Sequence, residues 1–92
     1  MKISFDLAKR NRTFEERGLA FEDAALVFNG QTLDQIDGRF DYPEERIITA
    51  GYLTGRLVIV VWTARDDARH IISMRKANER EQKSFAQRLG KG

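Results

Sequence analysis

The sequence predicts an α+β fold: an antiparallel sheet of about four strands, with two N-terminal helices and one C-terminal helix covering one of its faces. Three observations carry that expectation. Residues 57–65 and 69–75 are rich in strand-forming residues and are read with the two-residue side-chain period of strands. Phe21, Ala24, Ala25 and Phe28 fall at i, i+3, i+4 and i+7, one stripe of an amphipathic helix. Residues 76–89 hold helix formers and contain neither glycine nor proline.

Taken in order, residues 2–5 (KISF) alternate and predict a short first strand. Asp6 is placed to cap the next helix, because its carboxylate can accept the free N–H groups of a first turn. That helix, Leu7 to Arg17, is polar and ends at Gly18, the residue type suited to a left-handed C-cap. Asn29-Gly30 stops the second helix. Residues 31–43 are polar, carry the turn markers Asp37-Gly38 and Pro43, and leave room for a short edge strand. RIITAGYL and RLVIVVWTAR are β-rich and joined by Thr54-Gly55, which predicts a hairpin. Asp66-Asp67-Ala68 then turns the chain into RHIISMR. The final helix has a narrow apolar stripe of Ala77, Phe85 and Leu89, a Glu79–Lys83 pair one turn apart, and a stop at Gly90. One core beneath the sheet is expected to hold Phe21, Phe28, Val58, Val60, Trp62, Ile72 and Phe85.

Ninety-two residues make a single domain, 1–92, with room for one core. There is no cysteine, hence no disulfide scaffold and no thiolate metal site, and one histidine cannot supply a histidine-based zinc site. The expectation is no metal and no cofactor. The longest apolar run, Leu57 to Trp62, has strand length, and the N-terminus lacks the apolar segment of a signal peptide. A cytoplasmic protein with no membrane partner is expected. The net charge of +2 is unevenly spread. Residues 1–64 carry eight Lys or Arg against ten Asp or Glu, whereas residues 65–92 carry eight against four. Such a basic end suits a polyanion, although charge alone favours ordinary solvated surface.

The stretch HIISMRKA, residues 70–77, poses the functional question, because a strand needs no Arg75-Lys76 at its exit. Simple alternation puts Arg69, Ile71, Ser73 and Arg75 on one face and His70, Ile72 and Met74 on the other. Thr63 and Arg65 approach from the preceding strand, which would bring Arg65 near Arg69. Guanidiniums on an open sheet face repel one another unless an anion neutralises them, and the arginine fork matches phosphate oxygens. Pairing with Asp66, Asp67, Glu79 or Glu81 is an equal alternative on spacing alone. Lys9, Arg10 and Arg12 could extend a phosphate track, although a bare charge run is more often solvated. His70, beside Ile72 and Met74, reads as structural or rim-exposed rather than as a base. Trp62, Tyr42 and Tyr52 read as packing residues before base-stacking platforms. No glycine motif cradles phosphate: the seven glycines are scattered and mark turns.

The chain also resembles the BrnT family of ribonuclease toxins from bacterial type II toxin–antitoxin pairs. The resemblance rests on FDLAKRNRTFEERGLAFEDAALVF, on EERIITAGYLTGRLVIVVWTAR, and above all on RHIISMRKANEREQKSF, where Ile-Ser-x-Arg-x-Ala precedes a charged helix. It implies a RelE-like fold, cleavage of an RNA substrate, and neutralisation by a BrnA-type antitoxin through which alone operator DNA is reached. Glu16-Arg17-Gly18 stands where many members have Lys-His-Gly, Thr13 where an Asn is common, and Phe85 where a Tyr is frequent. Metal-independent cleavage needs a base for the 2′-hydroxyl, an acid for the 5′-oxygen, and cations for the phosphorane charge. Arg65 and Arg75 can supply the cations, Ser73 a hydrogen bond, and Lys9 a further cation or an acid. Arg10, Arg12, Arg46, Arg69 and Lys76 are candidates for RNA binding. The base is unassigned, with Glu79 or Glu81 possible. A non-catalytic RNA-binding or protein-interaction module with the same basic face is the alternative.

Overall fold

A computed structural model describes residues 2–39 and 41–90, with the backbone alone at 89 and 90. The elements are β1 (Lys2–Phe5), α1 (Leu7–Arg17), a 3-10 turn (Phe21–Asp23) that runs into α2 (Ala24–Phe28), β2 (Thr32–Ile36), β3 (Ile47–Leu53), β4 (Arg56–Arg65), β5 (Ala68–Lys76) and α3 (Glu79–Gly90). The α+β class holds, but the sheet has five strands rather than four and is mixed. Its order is β1-β5-β4-β3-β2; the last four strands form an antiparallel meander, and β1 lies parallel to β5. Local sequence could not show this, because β1 finds its partner at residues 68–71 at the far end of the chain. Among the described residues no helix is long and apolar enough to cross a membrane.

The punctuation works as its chemistry dictates. Asp6 Oδ1 accepts the Lys9 N–H at 2.9 Å and opens α1, and Gly18, at φ 70°, closes it. Thr54 and Gly55 both take positive φ (51° and 79°), the two-residue turn that matches the twist of a hairpin. Helix α1 buries no residue; it lies along β5 beyond β1, where the Arg17 guanidinium donates to the Met74 carbonyl at 2.9 Å.

The second helix differs from its expected geometry. Because Phe21–Asp23 is a 3-10 turn, the buried residues repeat every three positions, Phe21, Ala24 and Val27. Ala25 is exposed, and Phe28 is only partly buried, edge-on to Trp62 at 5.7 Å. Val27 seats against Gly51, where an added Cβ would come within 2.8 Å of Val27 Cγ1. A glycine is needed in β3 for the helix to sit this close.

There are two apolar clusters, not one. On one face Leu19, Phe21, Ala24 and Val27 pack on Val58, Val60, Trp62, Ile71 and Met74. On the other, α3 lays Phe85 and Ala77 over Leu57 and Ile59, flanked by Leu33, Ile48 and Ala50. Helices therefore cover both faces, and Phe85 leaves the expected common core. Leu89, expected beside it, has its side chain outside the described residues. Trp62 is core and donates its Nε1–H to Thr49 Oγ1 (2.8 Å), which donates to Asp34 Oδ1 (2.6 Å).

Strand β5 breaks simple alternation. Val61 lies opposite Ser73, but Trp62 lies opposite Ile71, so Ile72 is an extra residue. Ile71 and Met74 consequently share the face beneath α2, and Ile72 is only partly buried. Past the bulge, Ser73 and Arg75 emerge on the α3 face, across from Val61 and Ile59. Before it, His70 points to that same face, across from Thr63. The expected grouping of Arg69 and Ile71 with Ser73 and Arg75 is therefore corrected.

Candidate active site

Helix α3 covers only one end of its face of the sheet. Toward the 66–67 turn the same face is polar. Arg65, at the end of β4, donates to Glu44 Oε1 at 3.0 Å, with about half of its side chain (51%) exposed. Arg65 holds the Glu44 carboxyl below the usual carboxylate range. Thr63 is buried and donates to the Glu45 carbonyl at 2.7 Å, which fastens the 44–46 segment to the sheet. Arg46 lies with its guanidinium 3.8 Å from the Tyr42 ring centroid, and its Nε is buried without a hydrogen-bond partner.

His70 enters this end from β5. Parallel register places Ser4 beside it, and Ser4 Oγ lies 2.9 Å from His70 Nδ1. Burial, then Arg65 and Lys9, push the imidazole below its ordinary range, opposed by Glu44 and Asp6. A groove of about 170 Å³ opens between α1 and β5, lined by Lys9, Arg12, Thr13, Glu16 and Arg17 on one side and by Ile72 and Ser73 on the other. Lys9 belongs to both places: it lines the groove with Ser73 and acts on His70. Among the described residues no set of three or more histidines and carboxylates could hold a metal ion.

Arg75 lies farther along the face and has a partner. Its two terminal nitrogens each donate to Glu81 at 2.8 Å, while Asn78 and Glu81 each donate a backbone N–H to the other's side-chain oxygen in a capping box that starts α3. The bond to Arg75 depresses the Glu81 carboxyl and raises the guanidinium. Arg75 also rims a cavity of about 240 Å³ between β2 and α3, floored by Leu33, Ile48, Ala50, Ile59 and Phe85.

The structure places Arg65, Ser73 and Arg75 on the same face of the sheet, Lys9 and Arg12 beside Ser73 in the groove against α1, and Arg46 over Tyr42 on the segment before β3. Arg69 is not with them. Its guanidinium lies on the opposite face, 4.1 Å from the Phe28 ring and 5.0 Å from that of Trp62. Arg10 is bound to Glu22 (2.7 and 2.9 Å), and Lys76, opposite Val58, points away from Arg75. Sequence reasoning missed Ser4, Arg17 and the inward aim of His70. Each depends on β5, whose bulge and parallel partner have no local signature.

The molecule is an α+β protein whose sheet presents guanidinium, hydroxyl and imidazole groups on one face, with an ammonium from α1 beside it, a composition suited to a phosphate-bearing ligand. Residues 5–81 match the family model described as the ribonuclease toxin, BrnT, of type II toxin–antitoxin systems. The chain belongs to this family of toxins with ribonuclease activity, whose partner is an antitoxin protein. The matched span runs from the end of β1 through Glu81 and includes all of β5. Comparison with curated protein sequences gives no match.

Proposed function

We propose that this protein is a RelE-like, metal-independent endoribonuclease of the cytoplasm that arrests translation by cutting RNA and is neutralised by a BrnA-type antitoxin. What supports the reading is the shared α3 face of Arg65 and Ser73, with Lys9 of α1 lining the groove beside Ser73, within a chain of a ribonuclease family. The 2′-hydroxyl is the internal nucleophile, so the protein needs to orient RNA, move two protons and stabilise charge. Arg65 faces the scissile phosphate once phosphate replaces Glu44. Ser73 hydrogen-bonds a phosphate oxygen, and Lys9 adds positive charge from the groove. Arg12 and Arg46 hold the flanking backbone. Arg75 can join them only by exchanging Glu81 for phosphate.

The antitoxin blocks the Arg65 end with carboxylates in place of RNA phosphates and carries the complex to operator DNA. The ion pairing of Arg65 and Arg75 favours a second reading, an interaction face without catalysis. Cleavage of total RNA by purified protein, with a metal chelator present, separates the two. Arg65→Ala should cut the rate about a hundredfold to a thousandfold while its melting temperature stays close to that of the wild type. Full activity in a folded Arg65→Ala protein removes Arg65 from the site, and no cleavage by the wild type leaves the interaction reading.

A further inference from the structure

We propose that His70 is the general base of the reaction, taking the proton of the RNA 2′-hydroxyl through Nε2 while Ser4 holds the ring. This rests on the ribonuclease reading above and names the group that reading leaves open. Three observations support it. The Ile72 bulge turns His70 onto the face that carries Ser73, with Arg65 at the adjoining strand end. The parallel pairing of β1 with β5 puts Ser4 Oγ 2.9 Å from Nδ1, so one ring nitrogen is committed to the protein. Nε2 has no hydrogen-bond partner among the described residues, and the side chain is only partly buried.

The other bases nearby are spent. Glu44 is bound by Arg65, and Glu81 by Arg75 and the Asn78 N–H; both bonds lower their basicity. Asp6 caps α1. Glu79 is almost wholly exposed beside Lys83 on α3. The groups facing the imidazole are Ser4 from β1, Asp6 and Lys9 from the start of α1, Glu44 from the segment before β3, and Arg65 from β4. Burial and the two cations outweigh the two carboxylates, so the ring is neutral near pH 7, as a base must be.

With the ring donating Nδ1–H to Ser4 Oγ, the Nε2 lone pair accepts the 2′-hydroxyl proton. The 2′-oxygen attacks phosphorus, and the bond from phosphorus to the 5′-oxygen breaks. The departing oxygen takes a proton from water, and the imidazolium returns its proton to the hydroxide so formed. The products end in a 2′,3′-cyclic phosphate and a 5′-hydroxyl, with no net change in protons.

The test is single-turnover cleavage of a short RNA across acidic to neutral pH, with product ends identified. The wild-type rate should rise with pH to a plateau, its midpoint below the ordinary histidine value. In His70→Gln, whose amide can still bond Ser4, the rate should fall about a hundredfold or more and that rise should vanish. Affinity for a 2′-deoxy analogue of the substrate should be little changed. Ser4→Ala should lower kcat with KM unchanged and move the midpoint. The chain has one histidine, so its ring resonances are unambiguous by NMR and should shift when the 2′-deoxy analogue binds. A His70→Gln profile identical to wild type, or ring signals untouched by the analogue, overturns the assignment of His70 alone. Absence of cleavage by wild-type protein overturns the ribonuclease reading with it.

Discussion

Thr49 shows how one hydroxyl can tie three neighbouring strands together. It is fully buried, accepts from the Trp62 indole and donates to Asp34 on β2. Thr49→Val keeps the shape and leaves the indole N–H without a partner, so unfolding free energy should drop by about 1–3 kcal/mol, measurable by urea titration. Arg75 is a contrasting case. Its bond to Glu81 is partly exposed, with 44% of the arginine side chain open to solvent. Arg75→Ala should therefore cost roughly 0–1 kcal/mol in the same titration. At this scale the residue types were legible in the sequence and their partners were not. The pairing of Arg75 with Glu81 was one of two open readings, whereas Ser4 and His70 meet across sixty-six positions of chain and could not be joined on spacing.

Among the elements, β5 separates what the sequence reveals from what it hides. Its existence and length follow from composition; its faces do not, because an extra residue at Ile72 reverses the alternation. Deleting Ile72 should move either Ser73 and Arg75 or His70 to the wrong side of the sheet. The expected result is a much lower melting temperature and no RNA cleavage, whereas Ile72→Ala should be mild because the side chain is only partly buried. Helix α3 was legible in kind but not in its start: helix formers run from Lys76, yet β5 extends through Lys76 and the capping box of Asn78 and Glu81 opens the helix at Glu79. Asn78→Ala should cost about 1 kcal/mol, seen as a lower melting temperature. The stripe of α2 was half legible. The apolar residues announced a helix, but a 3-10 opening put Val27 where Phe28 was expected. Phe28→Ala should accordingly cost less than the roughly 3–5 kcal/mol of a fully buried phenylalanine.

Across the whole molecule, the charges set how stability answers to acid. Arg10 holds the Glu22 carboxyl down to about 2, and Arg39 does the same for Asp37. A carboxyl depressed by folding stabilises the native state above its unfolded value, and that contribution fades as pH falls through the carboxylate range. His70 adds in the same direction, since burial keeps it neutral while the unfolded chain takes up a proton first. The melting temperature should thus fall on acidification from neutrality and fall further in the carboxylate range. Glu22→Gln should flatten the lower part of that dependence. The α+β class and the basic C-terminal end were legible because they follow from composition and period. The mixed sheet and the two-sided core were not, because they depend on long-range pairing.

The bulge at Ile72 also limits how this site can be transplanted. The segment RHIISMRK is a phase-shifted signal: read on a flat strand, His70 would point to the surface opposite Ser73 and Arg75. A designer grafting Ser73 and His70 onto another scaffold would have to carry the extra residue and a parallel neighbour to supply Ser4. Conversely, a search for similar sites by strict two-residue alternation would pass over this one.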